Sequence, residues 1–591
     1  MAETKPFSVV VEDVGGGVNE GAPSSLEDRE WSALSNFHAF GTKLIRRGGL
    51  TAVSSAAYAK DLTSLFAYKQ SVGSWLLLVG LKDGIGSMSG GIITQLSSPD
   101  VYPELDDPWI MRQYKDEVFA CRQSTGTIKR VVPGFMHNAG IAAPLTAATI
   151  SEGAAGAKEA GNRQLVYTHY VRATGAESNP SPVSNTLNLS ASKKLLANGI
   201  SISTNPQVDA RRLYETSPNQ EGEYYFVKQV DDNFTIDGIE NNVAQDDLGV
   251  KASFENGMPP SGLIALEIAN ERLFATDGKL LYFSRPGLMQ SFSEFDFIPV
   301  MEDDGHQIID LVAWGDVLAI AKTGGMYALR GTGTTGSNIF SALVVSDKHG
   351  ARGRSTQSAE GVLLWYSGEN IYRSDGGSPS AISTLRVRKT LDRIPEAYKD
   401  RVVAGIMPRK SLYLLAVPLD GAQFPSHLIA YNYKTDAWDV VTPSQAPRFF
   451  GRFYDQVANE VLYGVFADKM VHEMEEGLLD GSTAITAVAR TKAFHFGIGP
   501  GRKGIRAVAV NTPAVNSTLK VRVYNDEQAT YVKERTLPLS GPGWKRVNIS
   551  TLGSLASAHQ VEFEYSGSPE FEIHGYAIEG ELVPARRPRA I

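Results

Sequence analysis

The chain has 591 residues and a formal net charge of −8, and apolar residues make up 42% of it. This balance is typical of a globular protein, and the length indicates about three to four domains. The acidic excess argues against a dedicated nucleic-acid binder, which usually carries surplus basic residues. The single cysteine, Cys121, excludes an internal disulfide and a thiolate metal cage, and we expect it to be a small core residue.

Residues 1–35 are predicted to form an N-terminal arm with a short helix. In SSLEDREWSALSNF, Ser24–Phe37, a serine stands at a suitable N-cap position and acidic residues occupy the first turn.

The opening residues have no basic segment before a long apolar run, so we expect no signal peptide. The longest apolar run, Trp75–Leu81, is too short to span a bilayer, so we expect no membrane-spanning segment.

Residues 36–135 are predicted to be the first part of a repeated β-structure. SWLLLVGLKDGIGSMSGG (Ser74–Gly91) and EVFACRQSTGTIKRVVPG (Glu117–Gly134) each read as an apolar run, a turn with glycine and a second run. Such short alternating runs indicate β-hairpins, because no apolar stripe of helical period is present.

The next segments interrupt this pattern. Residues 136–161 are rich in Ala and Gly and are predicted to be a linker. Residues 162–255 contain the strand-like runs QLVYTHYVRATG, ARRLYETS and GEYYFVKQV, with an Asn-Pro-Ser-Pro turn after the first. They predict an inserted sandwich of the immunoglobulin or fibronectin type.

Residues 256–478, the second part, repeat one phrase most clearly. RLFATDGKLLYFSRP, VLAIAKTGGMYALRG and VLLWYSGENIYRSDG begin at Arg272, Val317 and Val362, and their corresponding residues lie 45 positions apart. Each phrase reads as a strand, a turn and a second strand. We interpret these repeated Leu and Tyr residues, with the Trp of a later W-D dipeptide, as packed blade positions: Leu273, Tyr282, Leu318, Tyr327, Leu363, Tyr372 and Trp438.

About seven such units, with no helical segment between them, predict an all-β chain containing a β-propeller. The last units are Ser411–Val440 and Asn459–Met474. The segment Phe40–Val53 is predicted to add a strand to the last blade, because closure removes an exposed sheet edge. A two-sheet sandwich with chance similarity between units is the alternative. A second helix, broken at Pro395, is expected in TLRVRKTLDRIPEAYKD.

Residues 479–583 are predicted to form a C-terminal β-sandwich, because alternating runs such as LKVRVYND and QVEFEYSG are separated by Gly, Pro and Ser turns. Residues 584–591 read as a loose basic tail.

The sequence gives no support for a catalytic, cofactor-binding or metal site. GTGTTG, Gly331–Gly336, matches the glycine pattern of a dinucleotide-binding loop. A strand-like run follows it where that site requires a helix, so we expect a flexible blade loop. The histidines are scattered and form no i,i+4 pair. We therefore predict that the protein is not an enzyme and takes no cofactor.

Charged clusters are interpreted as surface features. Glu473, Glu475 and Glu476 in HEMEEG are expected at a solvated strand edge. The basic clusters lack the interleaved aromatic residues that stack on bases, so solvated or subunit-contact surfaces are expected. They are Arg46 with Arg47, Lys348–Arg354, Arg386–Lys389, and Arg586, Arg587 and Arg589.

Together these features resemble one known family, the β-propeller tail proteins of tailed bacteriophages. The resemblance is to the tail nozzle, or tail tubular protein B, class of short-tailed phages, and it covers roughly residues 36–475. The similar segments are Asn36–Thr51 (NFHAFGTKLIRRGGLT), Thr174–Pro182 (TGAESNPSP) followed by ARRLYETS, Lys279–Phe295 (KLLYFSRPG…FSEF), Gly361–Gly377 (GVLLWYSGENIYRSDGG) and Leu428–Val441 (LIAYNYKTDAWDVV).

This resemblance implies a structural virion protein that forms a homohexameric ring in the phage tail after synthesis in the cytoplasm of the bacterial host. The ring would lie below the portal and adaptor, extend the DNA-ejection channel and anchor tail fibres or spikes on its outside. Phage DNA would pass through without specific contacts. A closed ring needs two different contact surfaces on each chain, and a net charge of −8 suits a conduit that DNA must not adhere to.

Two other classes of function are compatible with a propeller. One is a tail receptor protein that binds or hydrolyses glycans, although the S-x-D-x-G-x-x-W turns of sialidase-like propellers are missing. The other is a host scaffold of the WD-repeat type, which fits poorly because one W-D end occurs and Gly-His starts are missing.

Overall fold

The structure is a computed structural model that describes residues 5–582, except 74, 99–100, 105, 124–125, 334–339, 455–458, 497–501 and 551–554. Strands form nearly all of the regular structure in these residues, and they assemble into many separate sheets. The predicted all-β fold class is confirmed. The basic tail and half of the GTGTTG segment lie outside the described residues.

Five strands precede the first blade. The predicted helix over Ser24–Phe37 is wrong: a 3-10 turn at Pro23–Ser25 is followed by a strand, in which Trp31 is buried. Pairing with distant strands satisfies this backbone and overrides the local capping signal. The five strands are β1 (Lys5–Val11), β2 (Trp31–Ser35), β3 (Phe37–Phe40), β4 (Lys43–Arg46) and β5 (Leu50–Ala52).

The first two blades are four-stranded antiparallel sheets, ordered from the innermost strand outward. Blade 1 contains β6 (Leu62–Lys69), β7 (Trp75–Leu81), β8 (Gly84–Ser89) and β9 (Ile92–Gln95). Blade 2 contains β10 (Ile110–Tyr114), β11 (Glu117–Cys121), β12 (Lys129–Val132) and β13 (Phe135–Asn138).

An inserted sandwich follows, built from small antiparallel sheets around one apolar core. The linker predicted at 136–161 is wrong in part, because residues 149–158 form a strand along β18. Gly156 lies so close to Lys194 that a Cβ atom would clash, which explains the small residues there. The strands are β14 (Thr149–Lys158), β15 (Gly161–Arg163), β16 (Leu165–Tyr170), β17 (Leu187–Leu189), β18 (Lys193–Asn198), β19 (Ala210–Glu215), β20 (Tyr225–Val230) and β21 (Ile239–Asn241), before a 3-10 turn at Gln245–Asp247.

Blades 3 to 5 contain the three phased phrases. Blade 3 contains β22 (Ala265–Ala269), β23 (Arg272–Thr276), β24 (Leu280–Arg285) and β25 (Leu288–Pro299), and a 3-10 turn at Glu302–Asp304 follows. Blade 4 contains β26 (Ile308–Trp314), β27 (Val317–Lys322), β28 (Met326–Arg330) and β29 (Ser341–Ser346). Blade 5 contains β30 (Gln357–Ala359), β31 (Val362–Tyr366), β32 (Ile371–Ser374) and β33 (Ser380–Ala381).

The second predicted helix is reduced to two short pieces on either side of Pro395: α1 (Arg388–Leu391) and a 3-10 turn at Glu396–Arg401. Blade 6 then contains β34 (Val403–Met407), β35 (Leu412–Val417), β36 (His427–Asn432) and β37 (Ala437–Val441), with a 3-10 turn at Pro408–Lys410. Blade 7 contains β38 (Phe449–Tyr454), β39 (Glu460–Val465) and β40 (Val471–Met474).

The N-terminal segment completes blade 7 as predicted. Strand β5 pairs antiparallel with β40, and Thr51 lies opposite Glu473. The innermost strands of successive blades contact one another, and β38 of blade 7 contacts β6 of blade 1. The chain is therefore a closed seven-bladed propeller.

The C-terminal β-sandwich shares its sheets with the N terminus. One sheet has the order β1, β51, β44 and β47, and the other passes from β37 of blade 6 through β2 to β43, β49, β45 and β46. Before the sandwich begins, β41 (Leu479–Asp480) and β42 (Thr483–Ala484) extend the sheet of blade 7 beyond β5. The strands of the sandwich are β43 (Ala487–Thr491), β44 (Lys503–Thr512), β45 (Ser517–Asn525), β46 (Lys533–Leu539), β47 (Gly543–Asn548), β48 (Leu555–Ala556), β49 (His559–Tyr565), β50 (Glu572–Ile573) and β51 (Gly575–Leu582).

The predicted division at the N terminus is therefore wrong. Strands β1 and β2 are not a separate arm. Strand β4 pairs with β3 on one side and with β50 of the sandwich on the other, rather than with a blade. A single apolar core contains Trp31 of β2, Trp438 of blade 6 and Phe563 of the sandwich. This core joins the propeller to the sandwich without an intervening linker.

Candidate functional site at the propeller axis and junction

Polar side chains meet at the axis of the propeller. All seven innermost strands contribute residues to the lining of an axial cavity of about 450 Å³. Because side chains alternate along a strand, successive residues of an innermost strand face the two neighbouring blades, as Ile110 and Met111 do. Small ligands bind in cavities of this size.

Two ion pairs lie in this cavity, and we call their four residues the axial tetrad. Arg112 Nε lies 2.8 Å from Glu267 Oε1, and Arg354 Nη1 lies 3.0 Å from Asp310 Oδ1. The four residues come from four adjacent blades. Burial alone would lower the pKa of Arg112, but the Glu267 carboxylate raises it. The two pairs therefore join blade 2 to blade 3 and blade 4 to blade 5 near the axis.

The carboxylates of the tetrad are committed to arginines. Glu267 Oε1 also accepts the amide hydrogen of Ile268, and Asp310 Oδ1 that of Leu311. A glycosidase needs one carboxyl group that protonates a leaving group and a second that acts as base or nucleophile. Each acid is already ion-paired with an arginine of a neighbouring blade. This pairing favours a structural role for the tetrad.

A second cavity, which we call the entry pocket, opens at the other end of the axis. It has a volume of about 470 Å³ and is lined by residues at the N-terminal ends of the innermost strands of all seven blades. Arg354, Val403 and Phe449 line both cavities. These three side chains therefore mark the boundary between the two chambers.

Away from the axis, buried charges gather where β3, β4 and β5 meet blades 6 and 7. We call these six residues the junction cluster: His38, Arg47, Lys410, Asp439, Glu475 and Asp480. His38 Nδ1 lies 3.0 Å from Asp439 Oδ2, and His38 Nε2 lies 3.1 Å from Glu475 Oε2 in an ion pair rather than an aligned hydrogen bond.

The electrostatics of the junction cluster favour a charged His38. Burial alone would lower the pKa of His38, but the carboxylates of Glu475 and Asp439 raise it to about 9. Burial would raise the pKa of Glu475, but His38 and Lys410 hold it well below its usual value. Three cationic side chains then face three carboxylates, which is how a protein accommodates buried charge.

The junction cluster contradicts the expectation of a solvated edge at HEMEEG. Glu475 is buried, whereas Glu476 beside it is exposed. Strand β40 ends at Met474, and Glu475 adopts a left-handed φ of 60°, so it leaves the alternation on which the expectation rested. Its Oε2 atom accepts hydrogen bonds from the amide of Gly48 at 2.9 Å and from Lys410 at 3.0 Å.

The Arg-Arg-Gly-Gly motif of residues 46–49 fits this junction residue by residue. Arg46 donates to the carbonyl oxygen of Gly567 at 2.9 Å, and Arg47 donates to both carboxylate oxygens of Asp480 at 2.8 and 2.7 Å. A Cβ atom at position 48 would lie 2.3 Å from the backbone of Glu475, and one at position 49 would lie 1.9 Å from that of Leu479. Arg46 and Arg47 are therefore buried structural residues, which corrects their interpretation as a basic surface.

The predicted Leu and Tyr positions lie at equivalent places in three blades. Tyr282, Tyr327 and Tyr372 pair with Ala275, Ile320 and Trp365, and each pair is separated by 45 residues from the next. Leu273, Leu318 and Leu363 are buried in the seams between their own blade and the preceding one. Tyr327 and Tyr372 are also buried there, whereas Tyr282 is only partly buried.

Trp438 and Cys121 differ from this set. Trp438 lies on the outermost strand of blade 6, where its ring centre lies 4.4 Å from that of Tyr431 at an angle of 31°. It belongs to the apolar core that blades 5 and 6 share with the sandwich. Cys121 is fully buried in the seam of blades 2 and 3, as predicted, and burial raises the pKa of its thiol to about 12.

Sequence reasoning missed the axial tetrad and most of the junction cluster. One usable signal existed: Glu267 stands alone in the otherwise apolar run ALEIA, which is unusual for a buried strand. His38 and Asp439 offered no such signal, because 401 positions separate them.

Comparisons with known proteins give only distant structural matches. No protein-family model and no curated protein matches the chain. A crystal structure of BBS1N in complex with ARL6DN matches 72% of this chain and 97% of its own at 8% identity and a TM-score of 0.32. The Neurospora crassa Pan2 WD40 domain matches 74% and 97% at 10% identity and a TM-score of 0.26. An exo-β-1,3-galactanase from Phanerochaete chrysosporium matches 53% and 95% at 10% identity and a TM-score of 0.22.

At these TM-scores the matches carry no inference about activity. Among the described residues, no helix is long and apolar enough to cross a membrane. In the same part of the chain, no group of three or more His, Cys, Asp or Glu side chains is arranged to hold a metal ion.

Proposed function

We propose that this protein is a structural component of a tailed-phage virion that forms the tail nozzle ring. In this proposal, six copies form the ring, which lies below the portal and adaptor and extends the path of the DNA. Tail fibres or spikes dock on its outside. The copies assemble in the cytoplasm of the bacterial host.

One observation carries this proposal. The segment Asn36–Thr51, which resembles the opening segment of the nozzle family, pairs with blade 7 through β5 and with the sandwich through β4. Asn36 takes part by accepting a hydrogen bond from Arg47 at 2.8 Å and donating one to the carbonyl oxygen of Thr486 at 2.7 Å. The residues that carry this resemblance therefore help to close the propeller and to join it to the sandwich. This supports a common architecture with that family.

The propeller axis itself is unsuited to DNA. A duplex whose major groove alone is about 12 Å wide does not pass through a cavity of about 450 Å³ that two ion pairs cross. The proposal therefore requires that the DNA path be formed between subunits. The net charge of −8 is compatible with a passage that binds phosphates weakly.

A ring also requires contact surfaces, and blade 4 offers one. Strand β29 reads SALVVS, and its Leu343 and Val344 are 41% and 58% exposed. Within the described residues no strand pairs with its outer edge. An apolar edge strand without Lys or Pro is a template for pairing with another chain. The pairing of β28 with β29 is regular over Ser341–Val344 and shifts register after Val344. A ring forms if this edge contacts a different surface of the next subunit.

Electron microscopy of the purified full-length chain tests the proposal. We expect particles with sixfold symmetry, together with concentration-dependent association in light scattering. Val344→Lys should abolish the rings, because a lysine on an edge strand opposes pairing, while Val101→Lys, at another exposed valine, should not. A wild-type protein that stays monomeric at every concentration, or that forms a trimer cleaving a host polysaccharide, would contradict it.

A further inference from the structure

The entry pocket has the features of a ligand site and plays no part in the proposed function. Its floor is apolar, with Leu62, Ile264, Ile309, Val403 and Phe449 among its lining residues. Its rim carries arginine side chains from blades 6 and 7. A concave apolar pocket with a few convergent polar groups is the usual form of a small-molecule site.

Two arginines on this rim share one aromatic ring. The guanidinium carbons of Arg448 and Arg401 lie 4.4 Å and 4.6 Å from the ring centre of Phe424, which is 39% exposed. Arg401 also lies 5.2 Å from the ring of Tyr398, and its Nη1 atom donates to the carbonyl oxygen of Gln423 at 2.9 Å. These contacts hold both guanidinium groups in place before a ligand arrives.

The positive charge of these arginines is incompletely matched. Among the described residues, no carboxylate lies within ion-pairing distance of Arg401. Arg448 approaches Asp61 only to 3.4 Å, longer than the roughly 2.7–2.9 Å of a strong charge-assisted hydrogen bond.

Other cations hold the acids of the rim. Lys82 lies 3.3 Å from Asp61 and 2.7 Å from Asp106, and Arg352 lies 3.3 Å from Asp400. The arginine next to the floor, Arg354, is paired with Asp310 of the axial tetrad. Arg401 has no carboxylate partner among the described residues, and Arg448 shares the carboxylate of Asp61 with Lys82. Of the arginines that line the pocket, these two are therefore the most available to an anion from solution.

We propose that the entry pocket binds a small cyclic carboxylate, of the size and type of an acidic monosaccharide. The planar guanidinium groups of Arg401 and Arg448 recognise the carboxylate, because their paired N–H donors match its two oxygens. The apolar floor and the exposed part of Phe424 cover the ring of the ligand. A carboxylate suits the pocket better than a phosphate dianion, whose second charge would have to lie above the apolar floor.

Isothermal titration calorimetry of the full-length chain tests this site, with D-glucuronate, D-glucose and inorganic phosphate as probes. We expect glucuronate to bind and to bind more weakly as salt is added, since the contact is electrostatic and partly exposed. Glucose shares the ring but lacks the carboxylate, and phosphate has the charge but lacks the ring. Both are expected to bind at least about tenfold more weakly.

Matched variants locate the binding. Arg401→Gln and Arg448→Gln should each weaken glucuronate binding by about tenfold, and Phe424→Leu should weaken it by releasing both arginines. Arg546→Gln removes an exposed, ion-paired arginine in the sandwich and should leave binding unchanged. Circular dichroism checks that each variant is folded.

Three results would overturn the proposal: no heat from glucuronate, equal binding of glucose or phosphate, or equal weakening by Arg546→Gln. None of them depends on ring formation. Electron microscopy of the same preparations therefore distinguishes a failure of this site from a failure of the proposed function.

Discussion

Blades 3 to 5 repeat every 45 residues and pack against each other through apolar seams, whereas blades 6 and 7 are held to distant segments by β2, β5 and the junction cluster. The outer edges of β29 and β33 are unpaired in the described residues, while β37 and β5 are covered by β2 and β41. Blades 3 to 5 are thus held by repetition and apolar burial. Blades 6 and 7 also have an apolar seam, to which long-range strand pairing and buried charge are added.

This difference shows how a fold made of repeated blades can hold a single, unrepeated domain in one position. Apolar seams tolerate any neighbour of suitable shape, so they serve identical units well. A buried charge network stabilises only the arrangement in which every partner is present. The junction, where propeller and sandwich must take one relative position, is where that specificity lies.

The largest expected effect is at the junction. Glu475→Ala removes the carboxylate that contacts His38, Lys410 and the amide of Gly48. It should lower the free energy of unfolding by about 3–5 kcal/mol, because buried cations lose their partner. Urea denaturation measures the change. Glu476→Ala, at the exposed next position, should stay within about 0.5 kcal/mol, and equal effects at both positions would refute the junction cluster.

The next effect concerns the seams. Tyr327→Ala and Tyr372→Ala should each cost about 3–5 kcal/mol, because both rings are buried between blades. Tyr282→Ala should cost less, since its ring is only partly buried. Thermal and urea unfolding of the three variants provide the comparison. An unchanged melting temperature for Tyr327→Ala and Tyr372→Ala would count against seam packing as the role of the repeat.

A smaller effect should appear in the pH dependence of the free energy of unfolding, through His38 of the junction cluster. The pKa of His38 is raised from 6.5 to about 9 on folding. Its contribution, up to about 3 kcal/mol, is therefore complete below pH 6.5 and is lost as the pH rises through about 9. Urea midpoints between pH 6.5 and 9.5 test this decline. His38→Gln should be less stable at pH 6.5 but should show a flatter profile, and an identical slope would assign the decline to other groups.

The smallest effect on stability is expected at the open edge. Val344→Lys should change the free energy of unfolding by no more than about 0.5 kcal/mol, because the side chain is 58% exposed. It should nevertheless reduce self-association, which analytical ultracentrifugation measures. A large loss of stability would indicate that β29 is an internal support of blade 4 rather than a contact surface.

Blades 3 to 5 could be predicted from the sequence, since strand alternation and a fixed period are local properties. The spacing of Leu318 and Tyr327 was enough to place both on neighbouring strands. The junction could not be predicted, because Arg47 meets Asp480 only after the ring has closed. The helix predicted from the acidic run before Trp31 is wrong for a related reason. The conformation of that segment depends on pairing between β2 and the remote strand β43.

The closing strand also governs when the protein can fold. Residues 50–52 pair with residues 472–474, so more than 400 residues must be synthesised before β5 finds its partner. At about 5–20 residues per second, this delay is roughly 20–90 s for the ribosome. Strands β1 and β2 wait longer, for residues beyond 480. A chain truncated before residue 472 lacks both the pairing of β5 with β40 and the sandwich, so the architecture itself keeps such chains out of any assembly that requires both.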